Sequence, residues 1–152
     1  MNYWLFKSEP DEFGIEDLQA RGRARWDGIR NYQARNLLRD QVRGGDQVLI
    51  YHSSCKVVGV AGIAEVVSEP YADPAQFDPA SKYFDPKASP DAPRWFALDV
   101  GFVEKFVRVL PLARIKREPL LAEMVLIRQG RLSVQPVTAS EWQLLTVLAR
   151  QP

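Results

Sequence analysis

Three kinds of side chain suited to reading a nucleic-acid base occur within the first 31 residues. Trp26 stands in a glycine-containing stretch, Ser8 follows the first apolar run, and Asn31 precedes residues with helical spacing. A protein that reads a base outside its stack needs an aromatic plane for the ring face, polar groups for the Watson–Crick edge and cations for the phosphates. These residues and the arginines around them supply all three.

Each of these residues also has a purely structural interpretation. Trp26 could belong to a hydrophobic core, although its polar neighbours favour a loop. Ser8 could cap the turn that follows the strand, and Asn31 could cap the helix that it precedes. Both interpretations stay open from the residues alone.

Catalytic chemistry has one local candidate. His52, the single histidine, stands between Tyr51 and Ser53 at the end of a predicted strand. Neighbouring side chains of a strand point to opposite faces, so His52 and Ser53 would not ordinarily meet as base and nucleophile. We therefore expect no catalytic residues, and an enzyme remains the alternative. A protein-interaction role is a third possibility, supported only by a Pro-rich segment.

Metal and cofactor chemistry is not expected. One cysteine, Cys55, and one histidine are too few for a structural zinc site, and a single cysteine forms no internal disulfide. No segment approaches the ~20 apolar residues that cross a bilayer. The start of the chain lacks a basic stretch followed by an apolar run, so we expect a cytoplasmic protein without a membrane or metal partner.

The charges are balanced overall but unevenly distributed. The formal net charge is +1. Residues 21–43 contain seven arginines and two aspartates, and residues 105–117 contain five basic residues and no acid, so each stretch carries +5. The two stretches would form one basic face if they met in space, whereas the alternative is two solvated surfaces.

The apolar pattern predicts more strands than helices. Strands are expected where β-branched and apolar residues run together, at 3–7, 47–51, 57–67, 95–103, 105–109 and 133–135. Helices are expected at 15–20, 31–42 and 138–148, with short helical turns within 111–124. The helices do not alternate with every strand, so we predict an α+β fold with a curved or barrel-like sheet.

Two loops and two glycines complete the prediction. Residues 21–30 are expected to form a loop, and the Pro-rich segment 70–93 a long irregular loop that acts as a mobile rim. Gly59 and Gly62, inside a predicted strand, indicate a bulge or a close approach of another backbone. The length of 152 residues is that of a single domain, 1–152.

Seven stretches, in order, resemble the EVE family. Two are its signature stretches, YWLFKSEP at 3–10 and WDGIRNYQARN at 26–36. The others are YHS at 51–53, GVAGIAEV at 59–66, the segment 78–87 ending in YFDPK, PRWF at 93–96 and RLSVQPV at 131–137. The resemblance covers nearly the whole chain. Cys55-Lys56 departs from the polar turn expected there.

The resemblance implies a PUA-like pseudo-barrel of about five or six strands with flanking helices, related to YTH domains. It also implies a monomeric reader that holds a modified or flipped base of DNA or RNA in an aromatic pocket, without a cofactor. The alternative is an RNA-processing or nucleic-acid-modifying enzyme of the same superfamily. The residues expected at the base-binding site are Lys7, Ser8, Trp26, Asp27, Arg30, Asn31, Tyr51, His52, Ser53, Trp95 and Gln135.

The resemblance also suggests individual roles. Trp26 would stack on the base, and Trp95 would form a second wall unless it belongs to the core. Lys7 and Ser8 would reach phosphate and base edge. His52 would stand at the pocket edge and Gln135 would orient pocket groups, with a structural role as the alternative for each.

Overall fold

The computed structural model describes residues 1–151 and shows a mixed sheet with five α-helices. The strands are β1 (Tyr3–Ser8), β2 (Arg23–Trp26), β3 (Gln47–His52), β4 (Gly59–Val66), β5 (Tyr71–Ala72), β6 (Phe96–Pro111) and β7 (Val134–Val137). The helices are α1 (Ile15–Arg21), α2 (Tyr32–Asp40), α3 (Leu112–Lys116), α4 (Val125–Arg128) and α5 (Ala139–Ala149). Two 3-10 turns, Pro74–Phe77 and Pro119–Leu121, complete the regular structure.

The strands follow the order β2-β6-β4-β3-β1-β7, and β5 pairs with β6. Strands β1 and β3 are parallel, whereas every other pair is antiparallel. The path begins at β2 and ends at β7, so the sheet is not closed into a barrel within residues 1–151. The predicted α+β class is confirmed, with seven strands in place of five or six.

Both faces of the sheet are covered by hydrophobic clusters. Along β1, Trp4 and Phe6 belong to one cluster, while Leu5 belongs to the other. Strand β3 alternates in the same way, with Val48 and Ile50 on the first side. Because successive side chains of a strand point to opposite faces, a strand buried on both faces is apolar throughout. That requirement explains the unbroken apolar runs of the sequence.

The close approach predicted at the two strand glycines is confirmed. A Cβ atom built on Gly59 would lie 2.0 Å from the carbonyl oxygen of Leu110, and one on Gly62 would lie 2.4 Å from that of Glu104. Both carbonyls belong to β6, which pairs with β4 through irregular register. Only glycine lets the two strands approach this closely.

The predicted loop at 21–30 is wrong in its first half. Residues 23–26 form β2, which pairs antiparallel with residues 98–101 of β6. Its exposed and buried residues alternate, as expected of an edge strand packed on one side. The Pro-rich loop contains β5 and a 3-10 turn, and Gln76 ties it down by donating to the carbonyls of Asp73 and Trp95. This segment is anchored at its base and irregular elsewhere.

Candidate functional site

An open cleft of about 1440 Å³ lies beside the ends of β1 and β2. The segment 23–31 forms one wall, and the turn after β1 forms another. The lining residues are Lys7, Ser8, Glu9, Glu12, Phe13, Arg21, Arg23, Ala24, Arg25, Trp26, Asp27, Gly28, Ile29, Arg30, Asn31, Ser53, Tyr71, Lys82, Tyr83, Asp99 and Ser133. Seven of the eleven residues expected from the sequence are among them: Lys7, Ser8, Trp26, Asp27, Arg30, Asn31 and Ser53.

Ser8 places an unpartnered hydroxyl at the cleft. It ends β1 opposite His52 of β3, and its carbonyl accepts the N–H of Ser53 at 2.9 Å. The Ser8 Oγ atom is buried and makes no hydrogen bond within the described residues. A buried polar atom without a partner costs free energy, and a ligand that supplies a partner would recover it.

Trp26 is the last residue of β2 and is only 7% exposed. Its ring lies 5.7 Å from that of Phe6, and it meets Phe13 edge-on at 6.2 Å. The expectation of a polar loop around Trp26 is therefore wrong, because β2 delivers the ring into the first hydrophobic cluster. The indole is part of the core and also part of the cleft wall.

The loop after Trp26 is held by a buried carboxylate. Asp73 has no exposed surface, and its Oδ2 accepts the N–H of Gly28 at 3.0 Å and Arg30 Nη1 at 3.0 Å. Gly28 has a φ of 75°, and a Cβ atom there would lie 2.8 Å from the ring of Tyr83. Both the left-handed backbone and the contact with Tyr83 require glycine. The cleft wall is thus fixed in one conformation.

The guanidinium of Arg30 is bonded mainly within the protein. Its guanidinium donates to the carbonyl oxygens of Tyr83 and Ile29 in addition to Asp73. It also lies 5.2 Å from the ring centre of Tyr83 and 5.4 Å from that of Trp95. These bonds leave little of the guanidinium free for a phosphate. Arg30 therefore connects the cleft wall to the Pro-rich loop.

Asn31 is the N-cap of α2, because its Oδ1 accepts the N–H of Ala34 at 3.0 Å. The structural interpretation of Asn31 is confirmed, and the residue also lines the cleft.

Asp27 is exposed, and its carboxylate makes no hydrogen bond or ion pair within residues 1–151. Partial desolvation, and then the charge of the nearby Asp73 carboxylate, raise the pKa of Asp27 above its ordinary value.

Six cations and four carboxylates line the cleft. Lys82 is paired with Glu12 at 2.6 Å, and Arg23 with Asp99 at 3.4 Å. Arg21 lies over the ring of Phe13 and forms no ion pair among residues 1–151. Arg25 bonds to the hydroxyl of Tyr71. Because Arg21 and Arg25 are exposed and unpaired, they are the cations best placed to meet a phosphate.

Neither Lys7 nor the second basic stretch, 105–117, adds an exposed and unpaired cation to the cleft. Lys7 donates to the carbonyl of Gly130 and lies 5.1 Å from the ring centre of Tyr51, and partial burial lowers its pKa. No residue of the stretch 105–117 lines the cleft. The two basic stretches therefore do not combine around it.

Four of the residues expected at the site lie outside the cleft lining. Tyr51 is buried in the second hydrophobic cluster, and burial raises its pKa to about 12. Trp95 stacks on Tyr32 at 4.8 Å and donates its Nε1 hydrogen to Asp85. Gln135 is buried in β7 and donates to the carbonyls of Gln129 and Leu132, while its Oε1 is unpartnered in the described structure.

His52, the fourth, is committed to the fold. Its Nε2 accepts the N–H of Ile15 at 3.0 Å, so the imidazole satisfies a free donor at the start of α1. Burial lowers the pKa of His52, which keeps the ring neutral and able to accept. Ser53 Oγ donates to the carbonyl of Ser8. The two side chains thus have separate partners and do not form a base–nucleophile pair.

Several lining residues were not expected from the sequence. Tyr83 lies in the 78–87 stretch that resembles the EVE family, which was the available signal. Arg21 and Arg25 were visible only as part of the first basic stretch. Asp73, which holds the wall without lining the cleft, had no signal, because its partners lie more than 40 residues earlier.

Metal-binding clusters and membrane-spanning helices are both absent from residues 1–151. No group of three or more His, Cys, Asp and Glu side chains is arranged to hold a metal ion. No helix there combines the length and apolar character needed to traverse a membrane.

The sequence comparison identifies the class of protein. The EVE domain model matches residues 2–148, so the chain belongs to the EVE family. Thymocyte nuclear protein 1 of Danio rerio is 41% identical, with 97% of this chain aligned to 72% of that protein. The human protein of the same name is 39% identical over 97% of this chain and 73% of its own length.

Solved structures agree with this membership. Human THYN1 protein in complex with DNA containing 5-methylcytosine has a TM-score of 0.93 and 37% identity, covering 100% of this chain and 99% of that chain. A Pseudomonas syringae protein has a TM-score of 0.93 and 51% identity, covering 97% and 99%. The predicted family and the PUA-like fold are confirmed.

One expectation is corrected by the same comparison. The relatives from several vertebrates carry the name thymocyte nuclear protein 1, which points to the nucleus. The cytoplasmic location expected from the sequence is therefore contradicted. Missing export and membrane signals do not separate the cytoplasm from the nucleus.

Proposed function

We propose that this chain is a non-catalytic reader that binds DNA and holds one modified base, with 5-methylcytosine as the first candidate, in the cleft beside Trp26. The proposal is carried by one observation: a relative of the same fold over the whole chain is solved with DNA that contains 5-methylcytosine. The cleft of this chain is of a size and polarity that suit a base with its flanking phosphates.

The residues of the cleft divide into three roles in this proposal. Trp26, a buried indole that lines the cleft, provides an apolar wall for the base. The unpartnered Ser8 hydroxyl and the free amide group of Asn31 contact the base edge. Arg21 and Arg25 meet the phosphates on either side, because Arg21 contacts only the ring of Phe13 and Arg25 only the hydroxyl and ring of Tyr71 among the contacts of residues 1–151.

The remaining expected residues act at a distance in this proposal. Lys7, Arg30 and Ser53 hold the cleft walls through their backbone partners. Tyr51 supports those walls from the second hydrophobic cluster and His52 from the start of α1. Trp95 does so through its contact with the Arg30 guanidinium, and Gln135 through its bond to the carbonyl of Leu132. The enzyme alternative has no supporting observation, since His52 and Ser53 serve other partners.

The test measures the affinity of oligonucleotides that differ at one base. Fluorescence anisotropy should compare cytosine with 5-methylcytosine, in single and double strands of the same sequence at one salt concentration. We expect tighter binding of the methylated strand. Equal affinity for the methylated and unmethylated oligonucleotides would show that the chain is not a reader of this modification.

A hydroxyl deletion tests the position of the base. Ser8→Ala removes the unpartnered Oγ and, because a hydrogen bond to a ligand contributes about 0.5–1.5 kcal/mol, should weaken binding of the methylated strand by about 2- to 13-fold. Ser140→Ala, in the first turn of α5 and outside the cleft, is the matched control and should leave affinity unchanged. Equal affinities for Ser8→Ala and wild type would place the base elsewhere.

A further inference from the structure

A reader of 5-methylcytosine has to reject thymine, which carries the same 5-methyl group. Contact with the methyl group cannot separate the two bases. They differ at position 4, where cytosine has an amino donor and thymine has an oxygen acceptor. A protein group that discriminates there must itself be a hydrogen-bond acceptor.

Two of the four carboxylates that line the cleft are already occupied. The carboxylate of Glu12 accepts Lys82, and that of Asp99 accepts the Tyr71 hydroxyl at 2.6 Å. Glu9 and Asp27 are the lining carboxylates without a side-chain hydrogen bond or ion pair in residues 1–151. An ionised carboxylate only accepts hydrogen bonds, so either one would attract a 4-amino group and repel a 4-oxo group.

Asp27 is held in place far better than Glu9. It directly follows the buried Trp26, and the next residue, Gly28, is bonded through its N–H to Asp73 at 3.0 Å. Its short side chain has few rotamers and starts from a backbone that is fixed on both sides. Glu9 lies in the turn after β1 and has a longer, more mobile side chain.

The electrostatic surroundings favour the same residue. Desolvation and then the Asp73 carboxylate raise the pKa of Asp27, and the charges of Arg25 and Arg30 oppose that rise. A donor that arrives with the ligand would offset the repulsion between the Asp27 and Asp73 carboxylates.

We propose that the Asp27 carboxylate accepts the 4-amino group of a cytosine-type base next to Trp26 and thereby rejects thymine. The inference rests on the proposed function, because it requires the base to enter this cleft. It makes Asp27 a specificity-determining residue, distinct from any group that recognises the methyl substituent.

The test compares three oligonucleotides that contain cytosine, 5-methylcytosine or thymine at one position. Wild type should prefer 5-methylcytosine to thymine by about 5- to 150-fold, the range of one good base contact. Asp27→Asn supplies an amide that can donate as well as accept. It should bind thymine more tightly and lose most of this preference, while the preference for 5-methylcytosine over cytosine is retained.

Two further variants keep the test decisive. Glu9→Gln makes the same chemical change at the other free carboxylate and should leave all preferences unchanged. Asp27→Ser removes the acceptor charge with a smaller side chain and should also lose the rejection of thymine, which covers the case in which Asp27→Asn folds poorly. Thermal unfolding of each variant establishes that it is folded.

The outcomes separate the two proposals. If wild type prefers 5-methylcytosine to cytosine but Asp27→Asn and Asp27→Ser still reject thymine, the role of Asp27 is overturned and the reader function stands. If wild type does not distinguish 5-methylcytosine from thymine, the role of Asp27 is also overturned. If wild type shows no preference for 5-methylcytosine over cytosine, the proposed reader function is overturned, whatever the result for thymine.

Discussion

Asp73 Oδ2 lies 3.0 Å from Arg30 Nη1, in an ion pair whose aspartate side chain is 0% exposed and whose arginine side chain is 20% exposed. The same oxygen accepts the N–H of Gly28. One buried carboxylate thus joins the cleft wall to the base of the Pro-rich loop. Two segments separated by more than 40 residues depend on it.

Replacing this carboxylate should affect both stability and binding. Asp73→Asn removes the charge that compensates Arg30 and should cost about 1–3 kcal/mol in the free energy of unfolding. Oligonucleotide affinity should fall although Asp73 does not line the cleft. Urea unfolding and anisotropy measure the two effects. Asp40→Asn, at the exposed ion pair with Arg39, is the control and should change neither.

Two glycines with similar φ angles allow the effect of the contact with Tyr83 to be isolated. Gly22 has a φ of 78° and would place a Cβ atom in open space, whereas Gly28, at 75°, would place it against the Tyr83 ring. Gly22→Ala should cost about 1–2 kcal/mol from backbone strain alone. Gly28→Ala should cost more and should also reduce oligonucleotide affinity. Equal costs in urea unfolding would mean that Tyr83 moves aside freely.

The contribution of Trp26 to binding has to be separated from its contribution to the core. Trp26→Ala should cost about 3–5 kcal/mol of stability, because the indole packs on Phe6 and Phe13. It should also lower affinity by about 5- to 150-fold if the ring contacts the base. Trp142→Ala, buried against Tyr3 in the second cluster, should cost similar stability and leave affinity unchanged.

Both variants must be measured below their melting temperatures. Undiminished affinity in a folded Trp26→Ala protein would show that Trp26 stabilises the core and does not contribute to binding.

The phosphate contacts are expected on one basic stretch only. Arg21→Ala should reduce the slope of log affinity against log salt by about 0.7–0.9, the value for one phosphate contact. Arg108→Ala, from the stretch that does not line the cleft, should leave the slope unchanged. Oligonucleotide affinity measured over the same range of salt concentrations for both variants gives the two slopes. An unaltered slope for Arg21→Ala, or a reduced one for Arg108→Ala, would move the phosphate path to another surface.

Local signals in the sequence predicted the elements that depend on local contacts. The α5 cap is a clear case, because Thr138 and Glu141 satisfy each other's backbone N–H groups without help from the rest of the chain. The two strand glycines were equally informative, since close packing of β4 on β6 excludes any side chain there. Residue types alone singled out Ser8, Trp26 and Asn31, and the family resemblance added the four other expected residues that line the cleft: Lys7, Asp27, Arg30 and Ser53.

Features that depend on distant partners were missed. Strand β2 has four residues, two of them arginines, and it is a strand only because β6 offers an edge for it. The buried role of Asp73 depends on Arg30 and Gly28. Such relations have no local pattern, so a charged residue in a Pro-rich segment is assigned to the surface by default.

His52 gives a last prediction, on the pH dependence of stability. Its Nε2 accepts the N–H of Ile15, and burial keeps its pKa below the ordinary value of 6.5, against the opposing pull of Glu16 and Asp17. In the unfolded chain the imidazole takes up a proton near that ordinary value, whereas in the folded chain it does so only at lower pH. Between the two, the unfolded state binds more protons, so the free energy of unfolding falls as pH is lowered.

The loss should therefore begin as pH falls through 6.5, and the full contribution of His52 should be present above that value. Urea unfolding from about pH 7.5 to about pH 5.5 covers this range and stays above the titration of most carboxylates. His52→Gln keeps an acceptor for the Ile15 N–H but does not titrate, so its stability should vary less with pH. Identical pH profiles for the two proteins would mean that the imidazole is equally free to protonate in both states, and that its bond to Ile15 adds nothing to the start of α1.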